Sequence, residues 1–235
     1  MKLTDLQIEN LYKFTRKHYV YHYDVQTELV DHLANDIENI WVENPNISFE
    51  QARDKSFKKF GVFGFMDVIE AKQKQMNKRY WKIILRFVKE WFTMPKIIMT
   101  TSLFIIILLL LQIPKAEYFI LSALFISAIF EIVFIYKFRK EEKKKEKTNE
   151  KIFLLEAMIG TTKNGFTGLV FINLFNFFNL TRFNFSNLDF HWVALTALIA
   201  TILFIFFYVS NYVIPEKTEE LLQETYPEYK IVKNL

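Results

Sequence analysis

Between residues 95 and 214 the chain carries four long apolar stretches, broken by a lysine-rich run, and a charged stretch of 92 residues stands ahead of them. Nothing else in the sequence limits the fold as sharply. Crossing roughly 30 Å of hydrocarbon takes about 20 helical residues, and a lipid-exposed span must satisfy its backbone hydrogen bonds internally. Stretches at 97–113, 118–136 and 192–214 have the required length. Only residues 112–117 separate the first two, which predicts a tight helical hairpin, with Pro95 suited to the first turn of its leading helix. Trp192 at one end of the last stretch and Tyr208 with Tyr212 at the other resemble interfacial anchors.

The remaining stretch is interrupted by Glu156 and by the polar run 160–165. Two readings stand side by side. Residues 152–159 form a helix along the membrane surface with the span at 166–180, or one long tilted helix carries Glu156 and Lys163 near the headgroups.

Lysine and arginine near the span ends set orientation. Six precede the first span between residues 78 and 96, and eight fall between residues 137 and 151. The hairpin has only Lys115 and the 181–191 loop only Arg182, while Lys217, Lys230 and Lys233 follow the last span. Both termini and the lysine-rich loop are therefore expected on the cytoplasmic side of the membrane, with four spans between them. The first residues lack the unbroken apolar core of a secretory signal, so insertion is expected to depend on the internal spans.

Composition agrees with an all-α chain. Hydrophobic residues make up 51% and charged residues 24%, with 26 Phe against only 5 Gly and 5 Pro. With no cysteine, disulfides, thiolate metal sites and Cys nucleophiles are excluded. The expected architecture is a small cytoplasmic helical domain, residues 1–92, followed by a four-helix transmembrane bundle, residues 95–214, and a cytoplasmic tail, residues 215–235. Any signal between head and spans is expected to travel through the helix at 63–92.

Polar groups within the spans are the first candidate sites. Asn173, Asn176 and Asn179 recur every third residue, roughly in line with Gly165 and Gly168. Small and amide side chains on one stripe let helices approach and hydrogen-bond, and the same stripe would suit a polar path. Glu131 is an intramembrane carboxylate, which Lys137 can pair with or a transported ion can use. In the loop, Lys143, Lys144 and Lys145 are candidates for anionic lipid headgroups, although Glu141, Glu142, Glu146 and Glu150 make a solvated linker the plainer reading. Those glutamates, and the lack of an aromatic platform, argue against direct nucleic-acid binding.

In the head, Thr4 with Gln7 and Ser48 with Gln51 are capping boxes that start helices. Asp24 is expected to cap a helix reaching Glu43, whose stripe of Val25, Leu29, Leu33, Ile37, Ile40 and Trp41 marks a buried face. Asn44-Pro45-Asn46 ends it and Gly61 ends the next. Glu28, Asp31, His32 and Asp36 are the best candidate metal ligands, with Glu28, His32 and Asp36 on one helical face and His18 and His22 as further ligands from the preceding connection; the plain alternative is a solvated face. No HExxH, GxSxG, P-loop or GxGxxG motif is present, so no enzyme activity and no cofactor are expected.

The run from Glu28 to Glu38, with His32 and Leu33 inside it and Ile37-Glu38 at its end, resembles the E-x-x-x-H-[LI]-x-x-x-I-E helix of HAAS-type signalling domains. Ser48-Phe49-Glu50-Gln51-Ala52 is similar to that family's capped helix start, and Phe60-Gly61 to its L-G stop. Val62-Phe63-Gly64 stands where the family has a turn proline. The likeness covers residues 4–75. It implies a cytoplasmic helical module fused to a multi-span membrane part, with a regulatory role and a protein partner such as a PadR-like transcriptional regulator. It carries over no catalytic residue. Lipid bilayer and a cytoplasmic protein are the expected partners, and a homo-oligomer is compatible. The competing expectation is a small permease or transporter subunit using the polar residues of the second and third spans.

Overall fold

The computed structural model describes residues 2–114, 151–161 and 188–233, with the single positions 116, 118, 122, 129 and 136. Every regular element among the described residues is helical, consistent with the expected all-α chain. Its packing divides it into two compact units, Met1–Arg79 with Lys151–Ala157, and Tyr80–Glu150 with Met158–Leu235.

The first unit is built on α1 (Asp5–Lys17), α2 (Tyr23–Glu43) and α3 (Phe49–Lys58), with the opening turns of α4 (Met66–Glu90). Both expected capping boxes form. Gln7 N–H donates to Thr4 Oγ1 at 3.4 Å while Thr4 N–H donates to Gln7 Oε1 at 2.9 Å. Gln51 N–H donates to Ser48 Oγ at 3.2 Å, with the return bond at 3.3 Å. Each box satisfies two backbone donors that a helix start leaves unpaired. The predicted stripe of α2 is buried throughout, with Leu29, Leu33 and Ile37 wholly inaccessible. Trp41 Nε1 donates to the Ile47 carbonyl at 3.2 Å, which folds the Asn44-Pro45-Asn46 break back against the helix it ends.

The turn between α3 and α4 differs from expectation. The helix begins at Met66 rather than near Phe63 and stops at Glu90. Gly61 and Gly64 both adopt positive φ, at 81° and 56°, which a helix cannot include. Phe65 is consequently swung inward, 2% exposed, against Phe57 and Phe60 at 4.8 and 4.9 Å between ring centroids.

Asp24 does not cap its own helix. Position 22 holds that place, and His22 supplies no side-chain bond. A distant segment supplies the partners instead. Tyr23 N–H donates to the Ile152 carbonyl at 2.8 Å, and Leu154 N–H donates to Asp24 Oδ1 at 2.9 Å. Leu154 opens α5, Leu154–Thr161. The start of α2 and the start of α5 thus supply each other's missing caps. Phe153, Leu154 and Leu155 are buried, with Phe153 meeting the Tyr23 ring edge-on at 5.4 Å. The leading part of the segment expected along a membrane surface is therefore seated in a protein core. The chain passes between the two units within α4 and again on either side of Lys151–Ala157.

In the second unit, α6 (Lys96–Leu111) packs against α7 (Phe190–Tyr208), which continues through a π-helical turn, Val209–Val213, to Ile214–Glu216. Leu111, at the end of α6, packs with Val193 and Ala197, near the start of α7, so the pair is antiparallel. The continuous helix Phe190–Glu216, 27 residues, is long and apolar enough to cross a membrane; Lys96–Leu111 is a shorter apolar helix. Pro215 has no N–H to offer the carbonyl four residues earlier, which accounts for the disturbed bonding just before it. Two helices in the tail, α8 (Thr218–Thr225) and α9 (Tyr229–Lys233), complete the unit.

Candidate functional site

The most densely specified polar and aromatic cluster lies in the second unit, where the last turns of α4, the start of α6, the end of α7 and the tail come together. It begins from a tight connection. Thr100 Oγ1 donates to the Trp91 carbonyl at 2.6 Å, and Lys96 Nζ pairs with Glu90 at 2.7 Å while lying 5.9 Å from the Trp91 ring. The turn at 91–95 is thus braced from both sides.

Aromatic rings join α4 to α7. Trp81 stacks on Phe206 at 5.7 Å, and Trp91 meets Tyr208 edge-on at 5.5 Å, with Tyr212 stacked on Tyr208 at 5.5 Å. Ion pairs join α4 to the tail. Arg86 forms a bidentate pair with Glu224 at 2.9 and 3.1 Å, and this carboxylate raises the guanidinium further above its ordinary range. The Phe87 ring has Arg86 5.1 Å from its centre and Lys217 5.6 Å from it, and Lys217 itself pairs with Glu220 at 3.0 Å. Each of these two cations faces a carboxylate of α8, so the cluster is closed electrostatically. Tryptophan and tyrosine with an apolar body and a polar edge are the side chains suited to a membrane–water boundary.

The head's candidate face is differently engaged. Glu28 pairs with Lys72 at 2.6 Å and Asp36 with Lys59 at 2.6 Å, while His32 is exposed. Partial burial pushes the Asp36 carboxyl up, but the hydrogen bond from Lys59 and the charges of Lys59 and Lys55 outweigh it and hold the group below its usual range. His18 packs between Phe14 and Phe57 at 4.5 and 4.4 Å, and His22 precedes α2. Among the described residues no three His, Asp or Glu side chains come together in a way that would hold a metal ion.

Glu131, Gly165, Gly168, Asn173, Asn176, Asn179, Lys143, Lys144 and Lys145 lie outside the described residues. The sequence reading missed the tail. Its signal was present: Glu220 and Glu224 lie one turn apart and present two carboxylates on one face, and Leu221-Leu222 supplies the buried side.

No family model, curated protein or solved structure matches the chain.

Proposed function

We propose that the chain is a multi-pass membrane protein of the bacterial inner membrane, with four spans and cytoplasmic termini, whose helical head regulates or signals through a cytoplasmic protein partner. The observation that carries the membrane half is the surface of the α6–α7 pair. Away from their common seam, Ile98, Ile105, Ile106, Leu109 and Leu110 of α6 are exposed, as are Leu195, Leu198, Ile199, Ile202 and Phe204 of α7. A water-soluble monomer rarely leaves so long an apolar face uncovered, whereas lipid covers it without cost. The aromatic rings of Trp81, Trp91, Tyr208 and Tyr212, gathered with Lys96 and Lys217 at one end of that pair, fit a headgroup boundary.

The regulatory half rests on the likeness of residues 4–75 to HAAS-type domains. An amphipathic helix bearing Glu28 to Glu38, a capped helix after it and a glycine stop before a long helix follow the order that likeness implies. Two lysines engage the carboxylates of the would-be metal face, which favours a binding module over an enzyme. A PadR-like regulator is the partner that the likeness suggests.

Topology reporters placed after residues 92, 115, 150, 186 and 235 test the membrane half; cytoplasmic signals at 92, 150 and 235 with external signals at 115 and 186 are expected. Affinity capture from detergent extracts, with and without residues 1–75, tests the regulatory half. An unchanged set of captured proteins overturns it.

A further inference from the structure

The head holds a piece of chain that arrives from 130 positions away, and holds it as a binding site holds a peptide. α1 and α3 begin with complete capping boxes, whereas α2 begins with none. Its uncapped Tyr23 N–H takes the Ile152 carbonyl at 2.8 Å, and Asp24 takes the Leu154 N–H at 2.9 Å. Main-chain groups of the segment are thus read by one donor and one acceptor in adjacent positions. Side chains add selectivity: Phe153 and Leu155 are 1% and 0% exposed, and Lys151 Nζ stands 5.4 Å from the Tyr23 ring. Two backbone bonds, three buried apolar groups (Phe153, Leu154 and Leu155) and a cation over an aromatic ring make up a short-peptide recognition mode.

We propose that residues 151–155 are a resident, displaceable ligand of the head, an autoinhibitory clip occupying a peptide site at the start of α2. The site takes a segment with a cation, then an apolar residue, an aromatic residue and two further apolar residues. This deepens the regulatory reading by naming the chemistry of the partner segment that the clip excludes. The cis segment competes at an effective concentration on the order of millimolar, so a partner engages fully only once the clip is released.

Hydrogen exchange on the full chain in detergent tests this without reference to membrane topology or partner identity, so its failure is separate from failure of the functional proposal. In the unmodified chain the Tyr23 and Leu154 amides are expected to exchange at least tenfold more slowly than free amides. Phe153→Ala is expected to restore fast exchange at both positions while residues 29–41 stay protected. The synthetic peptide Lys-Ile-Phe-Leu-Leu-Glu, added at a few millimolar on the order of that effective concentration, is expected to return Tyr23 to protection, and the same peptide with alanine for phenylalanine is not. Asp24→Ala provides a second opening that leaves the apolar contacts in place and is expected to weaken peptide rescue at least tenfold. Fast exchange at Tyr23 in the unmodified chain overturns the proposal. So does loss of protection across 29–41 in both variants, which makes the segment an inseparable part of the core, or failure of the peptide to rescue.

Discussion

Arg86 and Glu224 stand 138 positions apart and meet through two parallel hydrogen bonds, 2.9 and 3.1 Å long. Both side chains are about half exposed, at 47% and 51%, so solvent screens the pair. Its strength comes from bidentate geometry and from the neighbouring Phe87 ring.

A double-mutant cycle with Arg86→Ala and Glu224→Ala, read by thermal unfolding in detergent, is expected to give a coupling of about 0.5–1 kcal/mol. The coupling should shrink at high salt, since exposed pairs are screened over about a Debye length. A coupling indistinguishable from zero at low salt would remove the pair from any account of how the tail is held.

Gly61 and Gly64 look alike in sequence and should respond differently to alanine. A Cβ at Gly61 meets nothing within 4 Å, so Gly61→Ala costs only the positive φ, about 1 kcal/mol. A Cβ at Gly64 falls 2.9 Å from Phe57 Cζ, on a ring already packed against Phe14, His18 and Phe65. Gly64→Ala adds overpacking to strain and is expected to cost about 2–4 kcal/mol. Equal losses in chemical denaturation would contradict the close packing of the Phe57 ring against Gly64.

Acid should loosen the head before its carboxylates titrate. Burial holds His18 and His22 below the ordinary histidine range; Lys17 and Arg53 lower His18 further against Asp54, and Asp24 opposes the shift at His22. The unfolded chain, with histidines near 6.5 at about their free value, then binds more protons than the folded one. Stability from this source is complete above about pH 6.5 and declines as pH falls toward the lowered folded values. Unfolding midpoints are expected to drop between about pH 7 and pH 5.5, with the drop reduced in the His18→Phe, His22→Gln double variant.

Ser48→Ala removes one half of a capping box and is expected to cost about 1 kcal/mol. Exchange should quicken in the first turn of α3, beginning at Phe49, and not in α1, where Thr4 and Gln7 are untouched.

Local signals were legible in the sequence where the partners are close in the chain. Thr4 with Gln7, Ser48 with Gln51, the stripe from Val25 to Trp41 and the breaks at Asn44 and Gly61 all act within a few residues, and all appear in the structure. Asp24 was misassigned for the opposite reason. A side chain suited to capping sits one place after the cap, and its actual partner is an amide 130 residues on. No local pattern carries that information. Arg86 with Glu224, and Trp81 with Phe206, were invisible on the same ground: nothing local to any of the four names its partner, and only the fold pairs them. The predicted ligand face of Glu28, His32 and Asp36 was correctly grouped by helical spacing, yet spacing cannot reveal lysines arriving from just past the end of α3 and from α4.

The clip also sets an order of events during synthesis. Tyr23 and Asp24 leave the ribosome long before Ile152 and Leu154 exist, and both apolar stretches of the predicted hairpin are translated in between. Domains usually fold as their own stretch of chain emerges. Here the first unit is discontinuous, so the nascent head waits with α2 uncapped until that hairpin has been made. The newborn protein is therefore open by construction, and its first closing comes late, on itself.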